Sequence, residues 1–399
     1  MSAVGDRYRE LRRILPPVYW TVWLGTLINR AGGVVVPLLT FYLTEERHLS
    51  LSEAGAIVSL FGAGQVAAAL TGGVLADRLG RRATMVISLL GGAVLMFVLG
   101  FARAEAEIAA AVLALGFVGE LYRPAVAAFI ADVIPPEHRL RAYGFLYWAI
   151  TLGVSIAPLA AGLVAGWSYL ALFLIDGATM LVYGVIVLVK VPETRPATPH
   201  HDAPRTQLVD VLADGVFVRF CTLAFLVAFI AFQHSATLSG WMGAQGHGPS
   251  TFGAVIAVNG ILIVLLQPVI TTWIRRFDAS RALAAAALLT GVGFSLHGTT
   301  SLIPVHILAV AIWTMGEIAA SPTSAAIVAG LATADARGRY QGVYTMSWGL
   351  ASFAGPFLGP RILERGGPWA LWGGCAALGL LIALGFLATA RSLRARMRG

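Results

Sequence analysis

Charge almost vanishes from twelve stretches of this chain, at about 18–43, 53–76, 83–102, 107–133, 141–166, 168–190, 216–241, 250–274, 281–300, 303–330, 340–363 and 368–390. Each is long enough for a helix to cross a bilayer, which takes about 20 apolar residues. A soluble core could not absorb them. Of 399 residues, 58% are hydrophobic and 12% charged, whereas soluble domains carry about a quarter charged residues. The solvent for most of the chain is therefore lipid. The expected fold is all-α and integral to the membrane, with 45 glycines available for close helix contact.

The basic residues orient the spans. Of 28 Lys and Arg, Arg47, Arg103, Arg361 and Arg365 fall in odd-numbered loops, and Arg30 and Arg123 fall inside spans. The remaining 22 lie in the even-numbered loops and at the two ends. That asymmetry places both termini in the cytoplasm, in a plasma (inner) membrane. A net charge of +8 would suggest nucleic acid in a soluble protein. Here it marks orientation, and no nucleic-acid partner is expected. Residues 1–17 form a basic lead-in that runs straight into a full-length span, so no cleavable signal is expected. Residues 18–190 form a first six-helix bundle, 191–215 a Pro/His/Asp/Arg-rich cytoplasmic linker, 216–390 a second bundle, and 391–399 a basic tail. Cys221 and Cys375 lie in different spans, and no disulfide is expected.

The two halves repeat each other at an offset of about 198 residues. Gly55-Ala56-Ile57-Val58 matches Gly253-Ala254-Val255-Ile256, Gly62 matches Gly260, Pro124 matches Pro322, and Pro158 matches Pro356. Arg139-x-Arg141-x2-Gly144 matches Arg337-x-Arg339-x2-Gly342. Six spans per copy imply parallel repeats about an axis along the membrane normal.

Between the second and third spans stands Gly72-Gly73-Val74-Leu75-Ala76-Asp77-Arg78-Leu79-Gly80-Arg81-Arg82. The spacing G-x-x-x-D-R-x-G-R-R between two membrane helices resembles the loop 2–3 signature of the major facilitator superfamily. The resemblance implies a conformational gate made of Gly73, Asp77, Arg78, Gly80, Arg81 and Asp132. In it, Asp77 would cap the N-terminus of the eleventh helix, where a carboxylate complements the helix dipole. Arg81 would reach Asp132 at the inner end of the fourth, latching the halves in an outward-facing state. Gly153-x4-Pro158-x3-Gly162 in the fifth span resembles the signature of drug:proton antiporters, with Ala157 where the fuller form has Gly. Its Pro bends the helix and its glycines allow close packing.

An ionisable group in mid-membrane costs roughly 3 kcal/mol even on a permissive scale, so it persists where it meets water or a partner. Arg30, Glu120, Arg123 and Glu317 are deep, and Asp176 is shallower. Glu120 and Arg123 share a helix face. Desolvation and a neighbouring Arg act on a carboxyl in opposite senses, which lets it exchange a proton near physiological pH. The four deep residues are the proton-coupling candidates. The alternative for Glu120 and Arg123 is a static ion pair fixing the fourth helix to the first through Arg30. For Glu317 it is a neutral carboxyl bonded to a carbonyl. Asp176 reads as a packing hydrogen bond. Candidates for the cavity wall are Asn29, Tyr122, Tyr147, Trp148, Gln233, His234, Asn259, Trp313, Tyr344 and Trp348, with Tyr147-Trp148 favoured and Gln233-His234 next. Aromatic faces suit flat lipophilic molecules and cations.

No phosphate-binding Gly-rich loop ending in Lys-Ser/Thr is present, which argues against an ATP-driven pump. No metal-ligand spacing stands out, and His200-His201 reads as linker polarity. The chain is thus expected to be a monomeric, non-enzymatic transporter of the major facilitator fold, with twelve spans in two pseudo-symmetric six-helix bundles. It would use no cofactor, draw on the proton gradient, and export small lipophilic or amphipathic compounds by alternating access. Uptake of a polar or anionic solute or small peptide is the alternative, favoured by Arg30 and Arg123 because Arg binds carboxylate and phosphate in bidentate fashion. A non-transporting sensor or scaffold on the same fold is the alternative of another class.

Overall fold

The structure is a computed structural model that describes residues 14–194, 208–274, 276–332 and 336–398. Most of the basic lead-in and the centre of the linker, including His200-His201, lie outside the described residues. Every regular element among those described is helical: α1 (Pro17–Ala31), α2 (Val35–Phe41), α3 (Leu51–Leu79), α4 (Arg81–Phe101), α5 (Glu105–Val118), α6 (Tyr122–Val133), α7 (Pro136–Ala165), α8 (Tyr169–Lys190), α9 (Leu208–Ala213), α10 (Gly215–Ala231), α11 (Thr237–Ala244), α12 (Pro249–Ile274), α13 (Ala279–Leu296), α14 (Ile303–Leu331), α15 (Arg337–Pro368) and α16 (Gly374–Arg398). Eleven helical stretches among the described residues are long and apolar enough to cross a membrane. The last of them, Gly338–Arg396, turns at Gly367, whose φ of 76° is open to glycine at little cost.

Helix ends follow local chemistry. Ser50 and Glu53 form a capping box that starts α3. Asp214 and Asp278 accept backbone N–H bonds at the starts of α10 and α13. Gly80, at φ 104°, makes the turn from α3 into α4. Cys221 and Cys375 are free and buried.

Three of the sequence's apolar runs are interrupted. The first breaks between α1 and α2 at residues 32–34, the fourth between α5 and α6 at 119–121, and the seventh between α10 and α11 at 232–236. Each break falls on or beside a polar residue: Arg30, Glu120, and Gln233-His234. Backbone that leaves the helical ladder inside a membrane is tolerated where it is buried in protein or lines a wet cavity.

The two halves of the chain meet tightly at one end. Gly55 lies on the Pro356 carbonyl, Gly253 on the Pro158 carbonyl, Gly62 on Ser352 and Phe353, and Gly260 on Ser155. A Cβ at any of the four would collide with its neighbour. Gly162 packs on Pro249 and Ser250, and the Phe41 and Phe252 rings lie 5.6 Å apart. Ser52 and Glu364 hydrogen-bond across the same end. At the end that carries the Gly80 turn, Gly73, Gly144, Gly338 and Gly342 have no atom within 4 Å of where a Cβ would sit. The molecule is closed at one end and open at the other.

Candidate functional site

Between the halves lies a cavity of about 410 Å³. The first half contributes Asn29, Arg30, Gln65, Glu120, Tyr122 and Asp176, and the second contributes Phe232, His234, Asn259, Trp313, Glu317 and Trp348. The interrupted runs and α14 supply most of the polar members.

On one wall Arg30 sits at the last turn of α1. Its Nη1 is 3.5 Å from Glu120 Oε1, and its Nη2 donates to the Tyr122 hydroxyl. Its guanidinium carbon is 5.2 Å from the Tyr122 ring centroid. The Arg30 Nε is buried without a partner. Arg123 reaches Glu120 from the next turn, Nε to Oε2 at 2.6 Å, with its side chain 52% exposed. The static-pair geometry is therefore present, but Glu120 lies in the break at 119–121 and not on one continuous helix face with Arg123, and it is balanced by two guanidinium groups.

The opposite wall is built differently. Glu317 Oε2 accepts from Asn259 Nδ2 at 2.9 Å, and that amide also donates to Thr314 Oγ1 at 3.0 Å. Among the described residues no cation lies within ion-pair distance of Glu317, and its side chain is open to the cavity. Beside it, His234 stacks between Phe232 and Trp313, with ring centroids 6.1 and 6.5 Å away, and Trp348 meets Phe232 edge-on at 6.3 Å. This wall offers flat apolar faces and one uncompensated carboxyl.

Other candidate residues lie elsewhere. Gln233 is fully buried, donating to the Phe229 carbonyl at 3.1 Å and accepting from Thr237 at 2.7 Å, so it seals the break after α10 and does not face the cavity. Tyr344 stacks on Phe220 at 5.9 Å in the packing of the second half. Tyr147 and Trp148 border a side crevice between α7 and α12 with Gln267, Ile263 and Val264, and only Tyr147 also reaches the recess beside Glu317. These four are corrected as wall residues of the main cavity. Gln65, Phe232 and Thr314 were not foreseen. Gln65 is a polar residue within an apolar run, the signal that marked the others.

In the fifth run's signature, Gly153 packs on the backbone of Arg30, while Pro158 and Gly162 pack on α12. At the Gly80 turn, Arg81 is buried and donates from Nε to Asp132 at 2.9 Å and from Nη1 to Asp77 at 2.8 Å. Asp77 is 69% exposed and meets Arg81, and among the described residues it makes no hydrogen bond or ion pair with α15. Among the described residues the expected cap on the eleventh helix is not formed, and the Asp77 carboxylate is held by Arg81 instead. Arg78 and Gly73 are exposed. Among the described residues no three His, Cys, Asp or Glu side chains converge as metal ligands.

A helical membrane protein whose halves enclose a polar, aromatic-lined chamber, shut at one end, has the build of a secondary transporter. A profile of the Major Facilitator Superfamily matches residues 22–356 and, again, 223–397. The chain belongs to that superfamily: it is a membrane transporter and not an enzyme. It is 28% identical over 378 residues to a Na(+), Li(+), K(+)/H(+) antiporter of Planococcus maritimus, covering 86% of this chain and 88% of that one. It is 23% identical to the multidrug resistance protein MdtH of Aeromonas hydrophila, covering 92% of each. Its backbone also matches a crystal structure of a peptide transporter in complex with alafosfalin, with a TM-score of 0.81, 19% identity, and 96% of each chain covered.

Proposed function

We propose that this chain is a proton-driven exporter of small lipophilic or amphipathic compounds, with cationic ones favoured. In this reading it has twelve spans, the Gly338–Arg396 stretch counting as two. Residues 18–190 and 216–390 form bundles that rock about the cavity, and both termini are cytoplasmic. The protein acts as a monomer that needs no cofactor beyond the proton gradient. The observation that carries the reading is the Glu317 wall: an uncompensated carboxyl, reachable from the open end, set among Phe232, His234, Trp313 and Trp348. Aromatic faces and one negative charge attract an organic cation. A proton arriving on Glu317 removes that charge and releases the cation, so proton and cargo compete for one site. The antiporter and multidrug-resistance relatives support this direction of transport. Glu120 would remain neutralised by Arg30 and Arg123 and hold that wall together.

One observation favours a second reading. Arg30 lines the cavity and its Nε is buried without a partner, and a guanidinium binds a carboxylate or phosphate on a cargo in bidentate fashion. Proteoliposomes with an imposed pH gradient separate the two. Ethidium, tetraphenylphosphonium, sodium ion and a dipeptide are tested in parallel. Movement of ethidium or tetraphenylphosphonium against the direction of proton flow supports export. Movement of the dipeptide with the protons supports uptake and overturns the first reading.

A further inference from the structure

Asp176 is the buried carboxyl that the reading above leaves unused. It lies on α8, 3% exposed, and forms part of the cavity wall. Its Oδ2 accepts the backbone N–H of Val35 at 3.2 Å, where the helix restarts as α2 after the break at residues 32–34. One turn along, Thr179 fills the space where a Cβ on Gly32 would sit, and its hydroxyl donates to the Asp176 carbonyl at 2.9 Å. The Asp176–Thr179 face of α8 is thus seated in the gap between α1 and α2.

The surrounding charges leave Asp176 without a counter-ion. From α1, Arg30 is paired with Glu120 and Tyr122. Elsewhere in the wall stand Glu120, Tyr122, His234 and Glu317. From α4 the neighbour is uncharged: Phe97 packs on α8 at Gly177, next in sequence to Asp176. On α8 itself, Tyr183 bonds to Thr26. Among the described residues no cation lies within ion-pair distance of Asp176. A carboxyl held by a backbone N–H in a low-dielectric wall is neutralised by taking up a proton, whereas Glu120 is already balanced.

The N–H groups at the start of a helix lack intrahelical partners. An ionised Asp176 therefore favours the ordered restart of α2, and a protonated one holds it less firmly. The far end of α2 carries Phe41, which packs on Phe252 and against Gly243 at the closed end. We propose that Asp176 is a second proton-carrying carboxyl of this transporter, and that its protonation loosens the seating of α2 against α11 and α12 at the closed end. The inference rests on the proton-coupled reading but concerns a different residue and a different helix.

The test needs no substrate. Infrared difference spectra of the purified protein in nanodiscs, recorded against pH, follow the stretch of protonated carboxyls. Spin labels on His48→Cys and Ser250→Cys report the spacing across the closed end. The wild type is expected to show a titrating band that D176N lacks, and D176N is expected to lose the pH-dependent change in label spacing. D176E keeps a carboxyl and should move the band, which preserves the test if D176N does not fold. Spectra of D176N or D176E that match the wild type overturn the proposal. E317Q is read in the same experiment: if it leaves the spectrum unchanged while D176N removes a band, this inference stands and the Glu317 assignment falls.

Discussion

Gly253 lies directly on the Pro158 carbonyl, and Gly55 lies on the Pro356 carbonyl in the same way. Both pairs step by the 198-residue offset of the internal repeat, 55 to 253 and 158 to 356. The repeat is thus written into the contacts that shut one end of the molecule. Neither glycine can carry a side chain there without parting the halves. G253L is expected to raise, several-fold, the labelling of Ile256→Cys in the cavity by an impermeant maleimide applied from the closed end. Labelling at the wild-type rate would show that this contact does not hold the end shut.

The Arg30–Glu120 pair has side chains only 15% and 11% exposed. Removing one member of a buried pair leaves the other uncompensated, at a cost of about 3 kcal/mol. E120Q is expected to lower the unfolding temperature of the purified protein more than R30Q/E120Q does. Arg123, half in solvent, contributes little to that loss. Equal losses in the single and double variants would contradict a coupled pair.

At the Gly80 turn the structure separates stability from transport. Arg81 is buried with charge-assisted bonds to Asp77 and Asp132, so R81Q should cost about 2–3 kcal/mol in thermal unfolding. Asp77 is largely exposed, and D77N should cost less than about 1 kcal/mol. D77N should nevertheless depress transport, if Asp77 engages the eleventh helix once this end closes. Full transport by D77N would remove it from the gate.

The polar residues of the spans show what a sequence can and cannot reveal. Glu120 and Arg123 were legible as a pair because they stand three residues apart, although the chain brings them together across the break at 119–121 and not along one helix face. Arg30 was legible as a charge without a local partner. Gln233 was misleading because an amide can satisfy itself within its own turn, on the Phe229 carbonyl and Thr237. Tyr147 and Trp148 misled because an aromatic has no marker telling cavity from crevice. The break after Ala31 had a signal in Gly32-Gly33, but its consequence, a seat for Asp176 and Thr179, depends on α8, which lies far along the chain. The Asp77 expectation describes an arrangement that requires the Gly80 end itself to be shut.

The central claim is that Glu317 exchanges cargo for a proton. The most direct measurement compares two modes of transport by E317Q in proteoliposomes, using tetraphenylphosphonium. Exchange of labelled for unlabelled cation at equal pH should persist, because the aromatic wall and the Asn259 amide remain. Uphill movement driven by a pH gradient should be lost. Gradient-driven accumulation by E317Q at the wild-type level would contradict the account.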